Sequence, residues 1–371
     1  MEALTEKQRQ MVSWVAISTT LALLLVPCPV SCERQCNFPA IFNFGDSNSD
    51  TGAISAAFEQ APPPNGITFF HNPAGRFSDG RLVIDFIALE LTLQPPDPPS
   101  DLRTQPGLRV VIVPYRWMFS LNSSLVSNQD PNSFANKNLL PKEEYFSEAL
   151  YTFDIGQNDL TAGLKLNLTT EQVKAYIPDV LGQFSNVIKN VYGEGGRSFW
   201  IHNTGPLGCL PYTLDRYPVS AAQIDEFGCA KPFNEMAQYF NSKLKKTVEQ
   251  LRIELPKAAI VYVDVYTAKY TLITHAQKYG FDKGVIACCG HGGKYNFNNG
   301  ARCGASKMVN GKKVVIAKSC KDPSVRILWD GIHYTEAANN WVFQQIANGS
   351  FSDPPMSLTR VCHGNASIPY H

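Results

Sequence analysis

Short apolar runs alternate with longer amphipathic stretches along most of the chain. Five runs have the length and the β-branched or aromatic content of buried strands, at 40–44, 109–114, 149–155, 197–203 and 259–265. Apolar residues recur at helical spacing in three stretches, at 82–89, 170–192 and 232–255. Strands and helices that alternate in this way predict an α/β fold with a parallel sheet between helical layers.

The ends of these elements and the loops between them also follow from the pattern. Thr170 is a candidate N-cap for the helix at 170–192, and Pro178 is expected to kink that helix. Pro256 ends the helix at 232–255. Three stretches rich in Pro, Gly, Asn or Lys predict loops, at 53–75, 94–106 and 280–324.

The first thirty or so residues have the pattern of a targeting signal. A positively charged start precedes an apolar stretch at 12–26, and two prolines then lead to small residues near Cys32. This pattern predicts a secretory signal peptide at 1–32. The alternative is a membrane anchor, which is disfavoured because fifteen apolar residues fall short of the about 20 that a span needs. We therefore expect no membrane span in the mature chain.

The cysteines agree with secretion. The chain has ten, and cleavage after Cys32 would leave eight in an oxidising compartment. An even number there predicts disulfides, although eight cysteines allow 105 connectivities. Pairs that staple irregular segments are favoured, namely Cys209–Cys229 and pairs within 288–320. The alternative is a metal site at 288–291, but its spacing fits no common zinc pattern, and we predict no metal.

Glycosylation sequons and composition complete this general picture. Four Asn-X-Ser/Thr sequons, at Asn122, Asn167, Asn348 and Asn365, predict a secreted glycoprotein when they are taken with the leader. The formal net charge of +1 gives no reason to expect nucleic acid as a partner. A hydrophobic content of 44% excludes a disordered chain.

The first candidate for chemistry follows the run 40–44, which ends abruptly at Gly45. Ser47 comes two residues later, in a segment too rich in Gly, Asp, Asn and Ser to continue the strand. A sharp strand-to-loop turn can expose a serine hydroxyl above the sheet, as in nucleophile elbows. The segment is not a G-x-S-x-G elbow, because Ser49 stands in the position of the second glycine. A lone Gly-Asp-Ser is also common in ordinary turns, so partners are needed.

Two later motifs supply such partners. GQND (156–159) follows a predicted strand, where the side chain of Asn158 can donate to a developing oxyanion. Its alternative is a turn that caps the next helix. DGIH (330–333) has a carboxylate three residues before a histidine. That carboxylate can accept a hydrogen bond from one ring nitrogen, and the other ring nitrogen can then face a nucleophile. Its alternative is an ordinary helix start at Thr335.

Together these motifs resemble a known family. The blocks GDSNSDTG (45–52), GRFSDGR (75–81), GQND (156–159) and DGIHYTEA (330–337) are similar to those of plant GDSL-type esterase/lipases, in the SGNH hydrolase superfamily. The resemblance covers most of residues 38–362. It implies a single three-layer α/β/α SGNH-hydrolase-like domain at 33–371, with a central parallel sheet and the site at the C-terminal ends of the strands.

The resemblance also implies an activity and a role for each site residue. Ser47 would be the nucleophile of a carboxylic ester hydrolase, His333 its base and Asp330 the carboxylate that orients the imidazole. The backbone N–H of Ser47 and the side chain of Asn158 would form the oxyanion hole. The family implies no cofactor, a small-molecule or polysaccharide ester as substrate, and secretion to the apoplast or cell wall. His202, at the end of a predicted strand, is interpreted as structural.

The chain departs from the family pattern at 109–121. Relatives usually have an N-F-A-[ST]-x-G-[SA] stretch after the second strand, and its glycine N–H contributes to the oxyanion hole. A divergent loop, a local error in the sequence or a loss of activity would each explain the departure. Two alternatives to hydrolysis therefore stay open, an acyltransferase that uses the same serine and a catalytically impaired binding protein.

Overall fold

A six-stranded sheet forms the centre of the computed structural model, which describes residues 36–58, 60–91, 109–114, 143–282 and 284–362. The predicted signal peptide (1–32), the predicted loop at 94–106 and the sequons at Asn122 and Asn365 lie outside these residues. The strands in chain order are β1 (Ala40–Gly45), β2 (Arg109–Pro114), β3 (Leu150–Asp154), β4 (Ser198–His202), β5 (Ala259–Val263), β6 (Ser306–Val309), β7 (Lys312–Val315) and β8 (Ser352–Asp353).

The order of strands in the sheet is β2-β1-β3-β4-β5-β8. The first five pair in parallel, as the sequence predicts. The two-residue edge strand β8 was not predicted and runs antiparallel to β5. β6 and β7 form a separate antiparallel hairpin within the predicted loop 280–324.

Nine helices are present among the described residues: α1 (Ala53–Ala57), α2 (Val83–Glu90), α3 (Glu143–Glu148), α4 (Gln157–Lys165), α5 (Thr170–Gly193), α6 (Pro211–Arg216), α7 (Lys231–Glu254), α8 (Val265–Thr274) and α9 (Glu336–Ile346). The long helices α5 and α7 pack against each other, and α9 packs against α2 and α8. The predicted α/β/α fold is confirmed.

The central strands are apolar because both faces of the sheet are covered. β1, β4 and β5 are buried along their whole length, which is why they appear in the sequence as continuous apolar runs. Aromatic side chains stack across the β1–β3 pair at two levels, Phe42 on Tyr151 and Phe44 on Phe153, with ring centroids 5.2 and 4.8 Å apart. Such pairs add about 0.5–1.5 kcal/mol each beyond their buried area.

Two local predictions were wrong. The N-cap of α5 is Thr169 instead of Thr170, because Thr169 and Gln172 bond each other's backbone N–H groups in a capping box. Within the predicted loop 53–75, α1 forms one turn of helix. It begins there because the Asp50 carboxylate accepts hydrogen bonds from three successive N–H groups, those of residues 52–54. Pro178 lies inside α5, which continues through it.

Four disulfides join the cysteines of the described residues. The predicted pair Cys209–Cys229 is confirmed. Cys288–Cys320 and Cys289–Cys303 confirm the prediction of pairs within 288–320, and they exclude a metal site made from those thiols. Cys36–Cys362, which the sequence did not single out, connects the segment before β1 to the segment after α9.

Two of the predicted glycosylation sites can be located. Asn167 lies between α4 and α5, and Asn348 follows α9; both side chains are exposed. Their glycosylation stays a prediction. None of the helices in the described ranges combines the length and apolar character that a membrane span requires.

A buried ion pair joins the GRFSDGR block to α2. Arg76 is 1% exposed, and its Nε and Nη2 donate to the Asp85 carboxylate at 2.8 and 2.6 Å. Nη1 of Arg76 also donates to the carbonyl of Thr51, in the loop that follows β1. Asp85 accepts the N–H of Leu82 as well, which caps α2. The block therefore connects α2 to the loop that follows β1.

Asp85→Ala should strongly destabilise the fold. The substitution leaves the Arg76 guanidinium buried without its counter-ion, which typically costs 3–5 kcal/mol. Urea unfolding of the purified variant would measure the loss. Lys189→Ala is the matched control, because it removes an ion pair with Glu254 at the surface, where solvent screening leaves such a pair little effect on stability. Equal losses in the two variants would contradict the importance of the buried pair.

Candidate active site

A tight turn after β1 positions Ser47. The carbonyl of Asp46 accepts the N–H of Ser49 at 3.0 Å, and its carboxylate accepts the N–H of Asn48 at 2.8 Å. Inside β1, the side-chain amide of Asn43 donates to the carbonyl of Ser49 at 2.7 Å. These bonds hold the turn against the strand and leave the side chain of Ser47 half-buried.

Gly45 is required at the end of β1 because the chain is crowded there. A Cβ at this position would overlap Ser49 Oγ and lie 3.0 Å from the carbonyl oxygen of Asp154. Ser49 thus stands where a nucleophile elbow has its second glycine. Its side chain fits there because Gly45 has no Cβ.

The DGIH segment forms a second tight turn, closed by its own carboxylate. Oδ1 of Asp330 accepts the N–H groups of Ile332 and His333, both at 3.0 Å. Oδ2 lies 2.7 Å from Nδ1 of His333. Burial acts to raise the pKa of Asp330, but the charge and hydrogen bonds of His333 outweigh it, and the pKa is lowered. The carboxylate is therefore ionised at neutral pH and fixes the orientation of the ring.

The two turns meet at the edge of the sheet where the parallel strands end. Nε2 of His333 lies 2.7 Å from Oγ of Ser47, although the two residues are 286 positions apart. His333 is 6% exposed. With the proton on Nδ1 directed at Asp330, Nε2 can accept the hydroxyl proton of Ser47. Ser47, His333 and Asp330 thus form one hydrogen-bonded chain, and their catalytic roles stay predictions.

Asn158 lies at the same edge. β3 pairs with β1 so that Asp154 is opposite Gly45, and Asn158 is in the first turn of α4, which follows β3. Its side chain is exposed. In the described part of the chain, neither its amide nor the backbone N–H of Ser47 has a hydrogen-bond partner.

The segment that departs from the family pattern begins with β2. β2 is the neighbour of β1, with Pro114 opposite Gly45. Residues 115–121, the rest of the segment that departs from the family pattern, lie outside the described residues.

Comparison with known proteins agrees with these motifs. The sequence profile of the GDSL-like lipase/acylhydrolase family matches residues 41–346. The chain belongs to this family. A GDSL esterase/lipase of Arabidopsis thaliana is 55% identical over 92% of this chain and 98% of its own. A GDSL esterase/lipase of Zea mays is 49% identical, and the alignment covers 91% of this chain and 92% of the maize protein. The predicted enzyme class, carboxylic ester hydrolase, is confirmed at the level of this family.

One similar protein has a different name. A protein called alpha-L-fucosidase 3, of Arabidopsis thaliana, is 49% identical over 89% of this chain and 95% of its own.

Residues of the GRFSDGR block, another GDSL family motif, also contact the histidine segment. The ring of Phe77 stacks on the imidazole of His333, with centroids 5.3 Å apart and planes 25° from parallel. Oγ of Ser78 donates to the carbonyl of Tyr334 at 3.1 Å, and Asp79 accepts the N–H at the start of α9 at 2.8 Å. The sequence pattern contains no indication that this block contacts the histidine segment.

Two carboxyl groups lie close to each other at the serine turn, Asp46, which is buried, and Asp154, which is partly exposed at the end of β3, and the sequence did not single them out. Burial and the neighbouring Asp154 raise the pKa of Asp46 to about 6, against the hydrogen bonds from Asn48 and the charge of His333. Burial also raises the pKa of Asp154, opposed by Lys269. The pair therefore holds protons at a pH where ordinary aspartates are ionised.

His202 has the structural role that the sequence suggests. Burial, followed by the charge of Lys269, lowers its pKa to about 3, so the ring is neutral. Its Nε2 accepts the indole N–H of Trp200 at 3.0 Å.

Asp46→Asn should change the pH dependence of stability. Burial favours protonated Asp46 in the folded chain, so this stabilisation is present below about pH 4 and lost as the pH rises through about 6. Relative to the unmodified protein, the variant should gain on the order of 2 kcal/mol between about pH 4.5 and about pH 7.5. Urea unfolding at the two pH values measures this gain.

Ser49→Ala is the control for that measurement, because it alters the same turn without removing a titrating group. Its effect on stability should not vary with pH. A pH-independent difference for Asp46→Asn as well would contradict the assignment.

Proposed function

We propose that the protein is a secreted serine esterase that hydrolyses acyl or acetyl esters through an acyl-enzyme on Ser47. The observation that carries this proposal is the chain of two 2.7 Å contacts from Ser47 Oγ through the His333 ring to Asp330. Membership of the GDSL family supports it. In such chains the histidine removes the hydroxyl proton and the carboxylate stabilises the imidazolium that results.

Acylation begins when Ser47 Oγ attacks the ester carbonyl carbon and its proton moves to Nε2 of His333. The tetrahedral intermediate carries an oxyanion, which the Ser47 N–H and the Asn158 amide would stabilise. One such donor is typically worth about 3 kcal/mol. The intermediate then collapses: the bond to the leaving oxygen breaks, and that oxygen takes the proton from Nε2. Alcohol leaves and the acyl group stays on Ser47.

Deacylation uses the same groups in the reverse order. A water molecule attacks the acyl carbon and gives a proton to Nε2 of His333. Collapse of the second intermediate returns this proton to Ser47 Oγ and releases the carboxylic acid. Asp330 stabilises the imidazolium in both halves, because its lowered pKa keeps it ionised.

Secretion is part of the proposal and rests on independent features. Four disulfides among the described residues are typical of an oxidising compartment. The leader at 1–32 has the pattern of a signal peptide, and Asn167 and Asn348 are exposed for glycosylation. A signal peptide, the apoplast or cell wall as destination, and a single domain at 33–371 therefore remain part of the proposal.

Two other reactions can be separated from hydrolysis by their products. An acyltransferase would pass the acyl group from Ser47 to an alcohol instead of water, so a mixed donor and acceptor would give a new ester. A fucosidase, as the name of one relative suggests, needs two carboxyl groups that reach the sugar. Asp46, directly before Ser47 in the chain, is only 7% exposed, which favours the ester reaction. An assay with a nitrophenyl fucoside tests for fucosidase activity.

Ser47→Ala and His333→Ala should each abolish hydrolysis of nitrophenyl acetate. Loss of either member of such a chain lowers kcat by at least about 10⁴-fold, because the residual rate comes only from binding and oxyanion stabilisation. Ser49→Ala is the matched control: it removes a hydroxyl two residues away that has no hydrogen-bond partner within the described ranges of the chain, and it should retain activity.

The same variants can be tested without knowledge of the natural ester. A fluorophosphonate probe should label Ser47 in the unmodified protein and in Ser49→Ala, as mapped by peptide mass spectrometry. Labelling should disappear in His333→Ala. Full turnover in Ser47→Ala, or no labelling of the folded protein, would refute the mechanism.

A further inference from the structure

The loop 288–320 lies against the segment that contains His333. We call it the stapled loop, because Cys288–Cys320 closes it and Cys289–Cys303 closes its first part. Cys288 and Cys289 are fully buried and form a small core of their own with the side chain of Trp329. That tryptophan directly precedes Asp330 in the chain.

The backbone of the stapled loop is hydrogen-bonded to the base of the histidine turn. The N–H of Cys288 donates to the carbonyl of Leu328 at 2.9 Å, and the N–H of Cys289 donates to that of Trp329 at 2.6 Å. Trp329 in turn donates its N–H to the carbonyl of His333 at 2.7 Å. The backbone of His333 is therefore two hydrogen bonds away from Cys289.

A second contact reaches the tip of the turn. Gly331, between Asp330 and His333, has a φ of +95°, and a Cβ there would overlap the ring of Phe297 in the stapled loop. Phe297 is itself buried. On the other side, the indole N–H of Trp329 donates to Asn65 at 2.9 Å. The turn is thus packed from the stapled loop at both its base and its tip.

We infer that the stapled loop is a positioning element, and that its two disulfides hold His333 at the distance from Ser47 that proton transfer requires. The inference rests on the proposed function. Reacting groups must be within a few tenths of an ångström of their productive positions, and a displacement of about 1 Å can cost about 100-fold in rate. The histidine turn is irregular chain without a place in the main sheet, so its position depends on such contacts.

The disulfide Cys36–Cys362 allows positioning to be separated from general stability. It spans 326 residues, against 14 for Cys289–Cys303. Because the entropy that a disulfide removes from the unfolded chain grows with loop length, its loss should lower the melting temperature more. Cys36 lies before β1, at the opposite end of that strand from Ser47. Removing this bridge should therefore destabilise the protein without displacing His333.

The test compares two double variants with the unmodified secreted protein. Cys289→Ala with Cys303→Ala removes the inner bridge, and Cys36→Ala with Cys362→Ala removes the control bridge. For each, kcat and KM on nitrophenyl acetate, the rate of fluorophosphonate labelling of Ser47 and the melting temperature are measured. The inner-bridge variant should lose at least about tenfold in kcat and labelling rate, with KM within about threefold.

The control variant should show the reverse pattern, with a larger fall in melting temperature and a kcat within about twofold of the unmodified protein. Phe297→Ala keeps all four bridges and removes the contact with Gly331, so it should also slow labelling. This variant decides the question if the inner-bridge variant does not fold.

Three results have distinct meanings. Labelling of the inner-bridge and Phe297→Ala variants at the unmodified rate would overturn the inference. So would equal losses of kcat in the inner-bridge and control variants, since that would indicate stability alone. Failure of the unmodified protein to label at Ser47 would instead refute the proposed esterase mechanism.

Discussion

The contact between Ser47 Oγ and His333 Nε2 is the constraint on which the site depends. It joins two turns from opposite ends of the chain, at a distance of 2.7 Å. Because a single hydrogen bond contributes only about 1 kcal/mol net, it cannot by itself hold the two turns in register. Each turn must be held in place by its own surroundings, and the two turns are held in different ways. The serine turn is built onto a buried strand of the sheet, whereas the histidine turn is held by irregular segments.

The surroundings of the histidine turn explain the location of much of the polar and covalent structure outside the sheet. From one side, Phe77 stacks on the imidazole and Ser78 bonds the next carbonyl. From the other side, the stapled loop bonds the turn's base and packs on Gly331. The buried Arg76–Asp85 pair fixes the first of these segments, and disulfides fix the second. Each of these two segments is thus held in place by an interaction that does not involve the site residues.

The sequence predicts those features that leave a local pattern. Buried strands are visible as apolar runs, and the Ser47, Asn158 and His333 motifs are short and contiguous. Strand order and the stacking of Phe77 on His333 are not visible in the sequence. Contacts between distant residues leave no repeating pattern in the sequence around either residue. The N-cap of α5 shows the same limit at close range: Thr169 and Thr170 are equally suitable as residue types, and the reciprocal bond with Gln172 decides between them.

The buried carboxyl of Asp46 has opposing effects on the stability of the fold and on the serine turn. When it is ionised, the folded state bears the cost of desolvation, which is why its pKa is raised. The same carboxylate accepts two hydrogen bonds from Asn48 and so holds the serine turn. Ionised Asp46 therefore supports the serine turn at the pH where its desolvation weakens the fold. Proteins commonly keep such locally unfavourable groups at functional sites. For Asp46, the hydrogen bonds that it accepts in the serine turn are a physical reason for a carboxylate at this position.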